Sequence, residues 1–169
     1  KSITIPNSIT SIEEATFKGC EALTSITIPN SVKSIGSYAF NGCTSLSPIT
    51  IPNSVTSIGG HAFENCSTLK SIVIPNNVTS IEEATFKGCS ALTSVTIPNG
   101  VKKIGDSTFS ECKSLPAITI PKSVTHIERF AFYKNKSLRT VIMESAIPPY
   151  SYYIFVEPNE SGSSDIKPF

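Results

Sequence analysis

The sequence predicts a β-rich solenoid of about seven stacked coils, and three observations lead to this prediction. An I-T-I-P-N motif or a close variant of it recurs every 23 residues along most of the 169-residue chain. Apolar and polar residues alternate within the motif, as is typical of a half-buried strand. One such repeat is too short to bury its own apolar side, so we expect the copies to stack into one continuous core.

Columns of similar residues, 23 positions apart, run through the repeats. The first apolar position of the strand is held by Ile3, Ile26, Ile49, Ile72, Val95, Ile118 and Val141. The aromatic column is held by Phe17, Phe40, Phe63, Phe86, Phe109, Phe132 and Phe155. The thiol column is held by Cys20, Cys43, Cys66, Cys89 and Cys112. We predict that these columns become ladders inside the solenoid, because strands in adjacent coils lie ~4.8 Å apart.

Each repeat contains two extended stretches and a turn. Pro29 and Asn30 end the first strand of the second repeat, because proline cannot donate to a ladder and asparagine favours turns. A shorter extended stretch follows at 32–35. The segment 36–43 has no period-two pattern, and we expect a tight 3₁₀ or helical turn that carries Phe40 and Cys43 inward.

The run L-x-x-I-x-I-P-x-x-V-x-x-I-x-x-x-A-F-x-x-C, found at 23–43, resembles the leucine-rich repeats of the BspA-like family. These are the 23-residue repeats of bacterial and protozoan surface proteins, and the resemblance covers about residues 1–140. It implies a leucine-rich repeat solenoid with a parallel strand ladder on its concave face. It also implies a secreted or cell-surface setting, adhesion or protein binding, and a protein ligand such as a host extracellular-matrix or cell-surface protein.

The repeats divide the chain into three parts. We expect six leucine-rich repeats at 1–140, in a piece of a longer protein that lacks its N-terminal cap. A degenerate seventh repeat at 141–158, rich in tyrosine, is expected to act as a C-terminal cap. Residues 159–169 are polar and are expected to form a mobile tail.

Composition and charge disfavour several classes of function. The net charge of +1 argues against a dedicated nucleic-acid-binding protein. No apolar run approaches the ~20 residues that span a bilayer, so we expect no membrane insertion by this segment. A monomer is expected, although the open edge of the first strand would allow an edge-to-edge dimer.

The residue pattern predicts no catalytic, metal or cofactor site. The 23-residue spacing of the cysteines favours a structural thiol column over stacked disulfides or a metal site. His61 and His126 lie in no recognisable motif, and we interpret both as surface substitutions. A Cys–His nucleophile pair is the enzymatic alternative, but we expect no third group to orient His61.

Two sets of residues are candidates for partner binding. The first is the outward column of the first strand, Thr4, Thr27, Thr50, Val73, Thr96 and Thr119. The second belongs to a basic stretch at 102–139 and comprises Lys102, Lys103, Lys122 and Arg129. The competing interpretations are a threonine ladder that only pairs across strands and a solvated basic surface. The repeats would then be a spacer that presents another domain and binds no ligand.

Overall fold

The computed structural model describes residues 1–145 and 150–151. In this part the chain forms a solenoid of six complete 23-residue coils, followed by strands of a seventh, and it contains no helix. The expected cap at 141–158 lies largely outside the described residues, and the expected tail at 159–169 lies entirely outside them. We number the coils from one to six as residues 1–23, 24–46, 47–69, 70–92, 93–115 and 116–138.

The strands of the described chain are short and follow the repeat. In chain order they are β1 (Ser2–Thr4), β2 (Ser11–Ile12), β3 (Ser25–Thr27), β4 (Ser34–Ile35), β5 (Ser57–Ile58), β6 (Ser71–Val73), β7 (Ser80–Ile81), β8 (Ser94–Thr96), β9 (Lys103–Ile104), β10 (Ala117–Ile120), β11 (His126–Ile127), β12 (Thr140–Met143) and β13 (Tyr150–Ser151).

The strands form two parallel ladders on different sides of the coil. The first ladder contains the pairs β1–β3, β6–β8 and β10–β12, and the second contains β2–β4–β5 and β7–β9–β11–β13. Paired residues are 23 apart throughout the 1–145 range, as Ile3 with Ile26 illustrates. This register confirms the solenoid prediction, because it places each sequence column in a single line along the stack.

The core is a set of continuous ladders, of which the phenylalanine ladder is the largest. From Phe17 to Phe132 the consecutive rings are stacked, with centroids 5.2 to 5.7 Å apart. Phe40 to Phe109 are fully buried. Isoleucine, valine, leucine and cysteine columns fill the rest of the interior. Burial of these side chains, each worth about 1.5–3 kcal/mol, drives the stacking of the coils.

The predicted tight turn forms, but it does not become a helix. Within it Asn41 N donates to Tyr38 O, as a 3₁₀ turn would require. However, Tyr38 has φ 58° and Gly42 has φ 73°, and left-handed residues cannot continue a right-handed helix. Other turn amides bond to the next coil instead, as Phe40 N does to Ala62 O at 2.8 Å. The turns therefore form a third ladder along the stack.

The second strand ladder is interrupted between coils three and four, at the boundary between residues 69 and 70, and the first ladder is interrupted there and also between coils two and three and between coils five and six. In the second ladder Lys33, Thr56, Lys102 and Thr125 each donate a backbone bond to the preceding coil, whereas Thr79 has no backbone acceptor among the described residues. In the first ladder 48–51 is not assigned to a strand, and Pro48 lacks an N–H. The turn ladder continues across this junction, with Phe63 N bonded to Thr85 O at 2.8 Å.

Candidate partner-binding surface

The outward side chains of the first ladder form one uncharged surface, which we call the strand face. Because side chains alternate along a strand, the two residues that flank the central apolar residue of each strand point outward. One row contains Ser2, Ser25, Pro48, Ser71, Ser94, Ala117 and Thr140. The other contains Thr4, Thr27, Thr50, Val73, Thr96, Thr119 and Ile142.

The strand face is accessible along the whole described stack. Every side chain in its two rows is exposed, apart from half-buried Ser25. Val73 and Ile142 interrupt the threonine row and are 63% and 51% exposed. The surface therefore consists of small hydroxyl and methyl groups with isolated apolar positions and no charge. The predicted threonine column thus lies on one surface.

The basic candidates from the sequence do not lie together. Lys103 points outward from β9 and its Nζ lies 2.9 Å from Glu128 Oε1, a contact that raises the pKa of Lys103. Arg129 lies in a turn, with Nε 3.4 Å from Asp106 Oδ2. Lys102 is exposed just before β9, and Lys122 is exposed after β10. Two of the four charges are therefore compensated locally, and none of the four lies on the strand face.

A second basic group lies within the stretch 102–139, but its residues are not among the four predicted contact residues. Lys134 lies at the end of the turn of coil six, and Lys113 and Lys136 follow the turns of coils five and six. Arg139 immediately precedes β12, and all four residues are exposed. We call this group the basic corner. Their positions within the 23-residue repeat differ by only a few residues, so comparing positions across coils would have revealed the group.

The cysteine column is structural in its described geometry. The thiols of Cys43, Cys66, Cys89 and Cys112 are buried, and each donates to the carbonyl of a phenylalanine in the preceding coil, at 3.1 to 3.3 Å. Burial raises the pKa of Cys43 to about 11 and that of Cys112 to about 12. A nucleophilic cysteine needs its thiolate form, so these values argue against an enzymatic role for either residue.

His61 is more embedded than expected from the sequence, and the expectation that no third group orients it is wrong, because Glu64 contacts its ring. Its ring stacks on Tyr38 at a centroid distance of 4.6 Å, and its Nδ1 lies 2.8 Å from Glu64 Oε2. Glu64 also accepts a hydrogen bond from Asn41 and lies 3.6 Å from Lys87 Nζ. These contacts join coils two, three and four, so this cluster links neighbouring turns. His126 is exposed on β11, with its Nδ1 2.9 Å from Thr125 Oγ1.

The described residues contain neither a metal-binding group nor a membrane-spanning helix. No three His, Cys, Asp or Glu side chains of this part of the chain form a potential metal-binding group. None of its segments forms a helix long and apolar enough to cross a membrane.

The family model for the BspA type leucine rich repeat region matches residues 1–91 and 79–166, with 6 copies. The chain belongs to the BspA-type leucine-rich repeat family. The family resemblance in the sequence is thereby confirmed. Among curated proteins, none matches this sequence significantly.

Solved structures of bacterial leucine-rich repeat proteins resemble this BspA-type chain. The T. pallidum leucine-rich repeat protein TpLRR is 31% identical with a TM-score of 0.81, over 85% of this chain and 70% of that one. A leucine-rich repeat protein from Bacteroides ovatus is 28% identical with a TM-score of 0.69, over 83% and 45%. A leucine-rich cell surface protein from Faecalibacterium prausnitzii is 29% identical with a TM-score of 0.62, over 88% and 48%. The chain therefore spans less than half of the latter two proteins.

Proposed function

We propose that this BspA-type chain is a non-catalytic, protein-binding module of a cell-surface or secreted protein, and that its strand face contacts the protein ligand. Adhesion to a host extracellular-matrix or cell-surface protein is the specific form of this proposal. The F. prausnitzii relative is described as a cell surface protein, which supports the setting.

The absence of charge from the described strand face is the observation that carries the proposal. Ordering long charged side chains at an interface costs conformational entropy, and desolvating their charges costs free energy. Serine, threonine, valine and alanine avoid most of both costs. An accessible surface made of such residues can therefore be covered by a protein at low cost, while the hydroxyl groups offer hydrogen bonds.

Repetition along the stack would increase the apparent affinity. The same hydroxyl and methyl groups recur in successive coils, in strands that lie ~4.8 Å apart. A ligand that makes several weak contacts along a rigid scaffold gains through effective concentration, without needing any single strong contact. This mechanism suits an adhesion protein, because the attachment does not depend on one pocket.

A pair of matched variants tests the proposal. Thr50→Lys places a charge on the strand face of coil three, whereas Ser57→Lys places the same charge on the second ladder of that coil. Lys103 already occupies the column of Ser57, so the fold accommodates lysine there. Binding of the 169-residue wild type and both variants would be measured on a panel of extracellular-matrix and cell-surface proteins, with thermal unfolding as the control for folding.

We expect saturable binding by the wild type, and the contribution of the strand face to it should change little with salt, because salt screens interactions between charges and the face has none. Thr50→Lys should weaken binding about tenfold or more, and Ser57→Lys by less than about twofold. Equal binding by both variants would exclude the strand face. If the wild type binds none of the panel, the spacer interpretation is favoured for this segment.

A further inference from the structure

The basic corner brings charges from neighbouring coils together. Lys113 and Lys136 occupy the same column, so they are adjacent along the stack. The hydrogen bond from Arg139 N to Pro116 O, at 2.9 Å, places Arg139 beside coil six. The bond from Glu111 N to Tyr133 O, at 2.8 Å, joins coil five to the turn that carries Lys134. These contacts position four exposed basic side chains at one edge.

Little negative charge compensates the basic corner. Among the described residues, the acid in ion-pair contact with it is Glu111, whose Oε2 lies 3.8 Å from Lys113 Nζ. Within residues 1–145, no carboxylate lies within ion-pair distance of Lys134, Lys136 or Arg139. The basic corner thus differs from Lys103 and Arg129, which are paired with acids, and it leaves a local positive potential that attracts anions.

An exposed apolar residue follows three positions after Arg139. Arg139 immediately precedes β12, whose outward residues are Thr140 and Ile142. Ile142 is 51% exposed and belongs to the strand face. The edge of the strand face therefore combines uncompensated positive charge with an apolar position, and a partner that fits both must carry negative and apolar groups.

We propose that the basic corner binds a carboxylate-rich segment of a protein ligand, and that an apolar residue of that segment packs on Ile142. This inference rests on the proposed protein-binding function of the strand face. An acidic protein segment fits better than a sulfated polysaccharide, because the polysaccharide has anionic groups but no apolar side chain to cover Ile142. The segment would add charge-dependent affinity to the salt-insensitive contact of the strand face.

Two synthetic peptides and heparin are the probes. The first peptide contains glutamates around a central pair of leucines, and the second has serines in place of the leucines. Heparin represents a sulfated polysaccharide. Each is titrated against the 169-residue wild type at low and high salt. The corner variant is Lys134→Gln, Lys136→Gln and Arg139→Gln, and the matched control removes the same charge elsewhere with Lys33→Gln, Lys102→Gln and Lys122→Gln.

We expect the leucine-containing peptide to bind the wild type, and to bind less tightly at high salt. The corner variant should lose about tenfold or more in affinity, as expected for three exposed ion pairs, and the control less than about twofold. Ile142→Ser should weaken binding of the leucine-containing peptide by about fivefold and leave binding of the serine peptide unchanged.

Several outcomes would overturn the inference. Equal losses in the two triple variants would show a non-specific charge effect, and full binding by the corner variant would remove the corner from the site. Heparin binding without peptide binding would assign the corner to sulfated polysaccharides. If Thr50→Lys abolishes panel binding while the corner variant retains it, the proposed function stands and only this inference fails.

Discussion

Residues 12–20 and 81–89 have identical sequences, I-E-E-A-T-F-K-G-C, but different environments. In coil four Thr85, Phe86 and Cys89 are buried, with coils on both sides. In coil one Thr16 and Cys20 are exposed and Phe17 is only half-buried, since in this structure that segment has a described coil on one side only. Burial in this solenoid is therefore decided by the neighbouring coils, as expected when each repeat contacts only the next.

The same comparison extends to the two three-coil blocks, 1–69 and 70–138. Their core columns match, but the first block has three basic and four acidic residues, whereas the second has nine basic and five acidic ones. Core positions must fit their stacked neighbours, while outward positions carry no such restriction. Surface charge can therefore diverge between copies. The basic corner lies in the more basic block, apart from Arg139, which is the first residue after that block.

Truncation of the equivalent residues Phe86 and Phe17 should give the largest difference in stability between the two segments. We expect Phe86→Ala to lower the free energy of unfolding by about 3–5 kcal/mol, because it leaves a cavity between the stacked rings of Phe63 and Phe109. Phe17→Ala, in an identical local sequence, should cost roughly 1–2 kcal/mol because its ring is partly exposed already. Urea titration of both variants measures the difference. Equal losses would mean that burial is not set by neighbouring coils.

Because the thiols of the core are buried, we expect the free energy of unfolding to depend on pH in alkaline solution. Burial raises the pKa of Cys112 to about 12 from an ordinary value of 9.0. Above pH 9.0 the unfolded chain releases this proton while the folded chain keeps it, so the free energy of unfolding falls as pH rises towards 12. Each such cysteine contributes a slope of about 1.4 kcal/mol per pH unit in that range.

Cys112→Ala should therefore make the alkaline loss of stability shallower by about this slope. Val101→Ala is the control, because it removes buried volume from the same coil without removing a titratable group. Denaturant titrations under reducing conditions, below and above pH 9, compare the two variants with the wild type. An unchanged slope in Cys112→Ala would contradict the assignment of a neutral buried thiol.

The smallest expected effect is a difference in amide hydrogen exchange at the junction between coils three and four. The amides of Thr56 and Lys102 are hydrogen-bonded across coils, whereas Thr79 at the junction is not, although all three residues are exposed. We expect the Thr79 amide to exchange its hydrogen about tenfold faster or more than the other two. Hydrogen exchange followed by NMR measures this ratio. Equal protection would show that the second ladder is continuous at the junction in solution.

The site was only partly predictable. The threonine column could be placed on one surface from its spacing, because every in-register strand points the same residue outward. The basic stretch divides among several surfaces, since residues close in sequence, such as Lys102 and Lys113, lie on different sides of a coil. Only a comparison of their positions across coils separates them. Which charges are compensated also depends on acids from other coils, as the pair of Lys103 and Glu128 shows.

The sequence by itself determined the solenoid, its 23-residue register and the residues of its core, because a constant period places each column in one line and one repeat cannot bury its own apolar side. The tertiary structure decided the left-handed turns, the cluster around His61 and the junction between coils three and four. Each of these depends on contacts between residues about one repeat apart, whose geometry no local pattern in the sequence specifies.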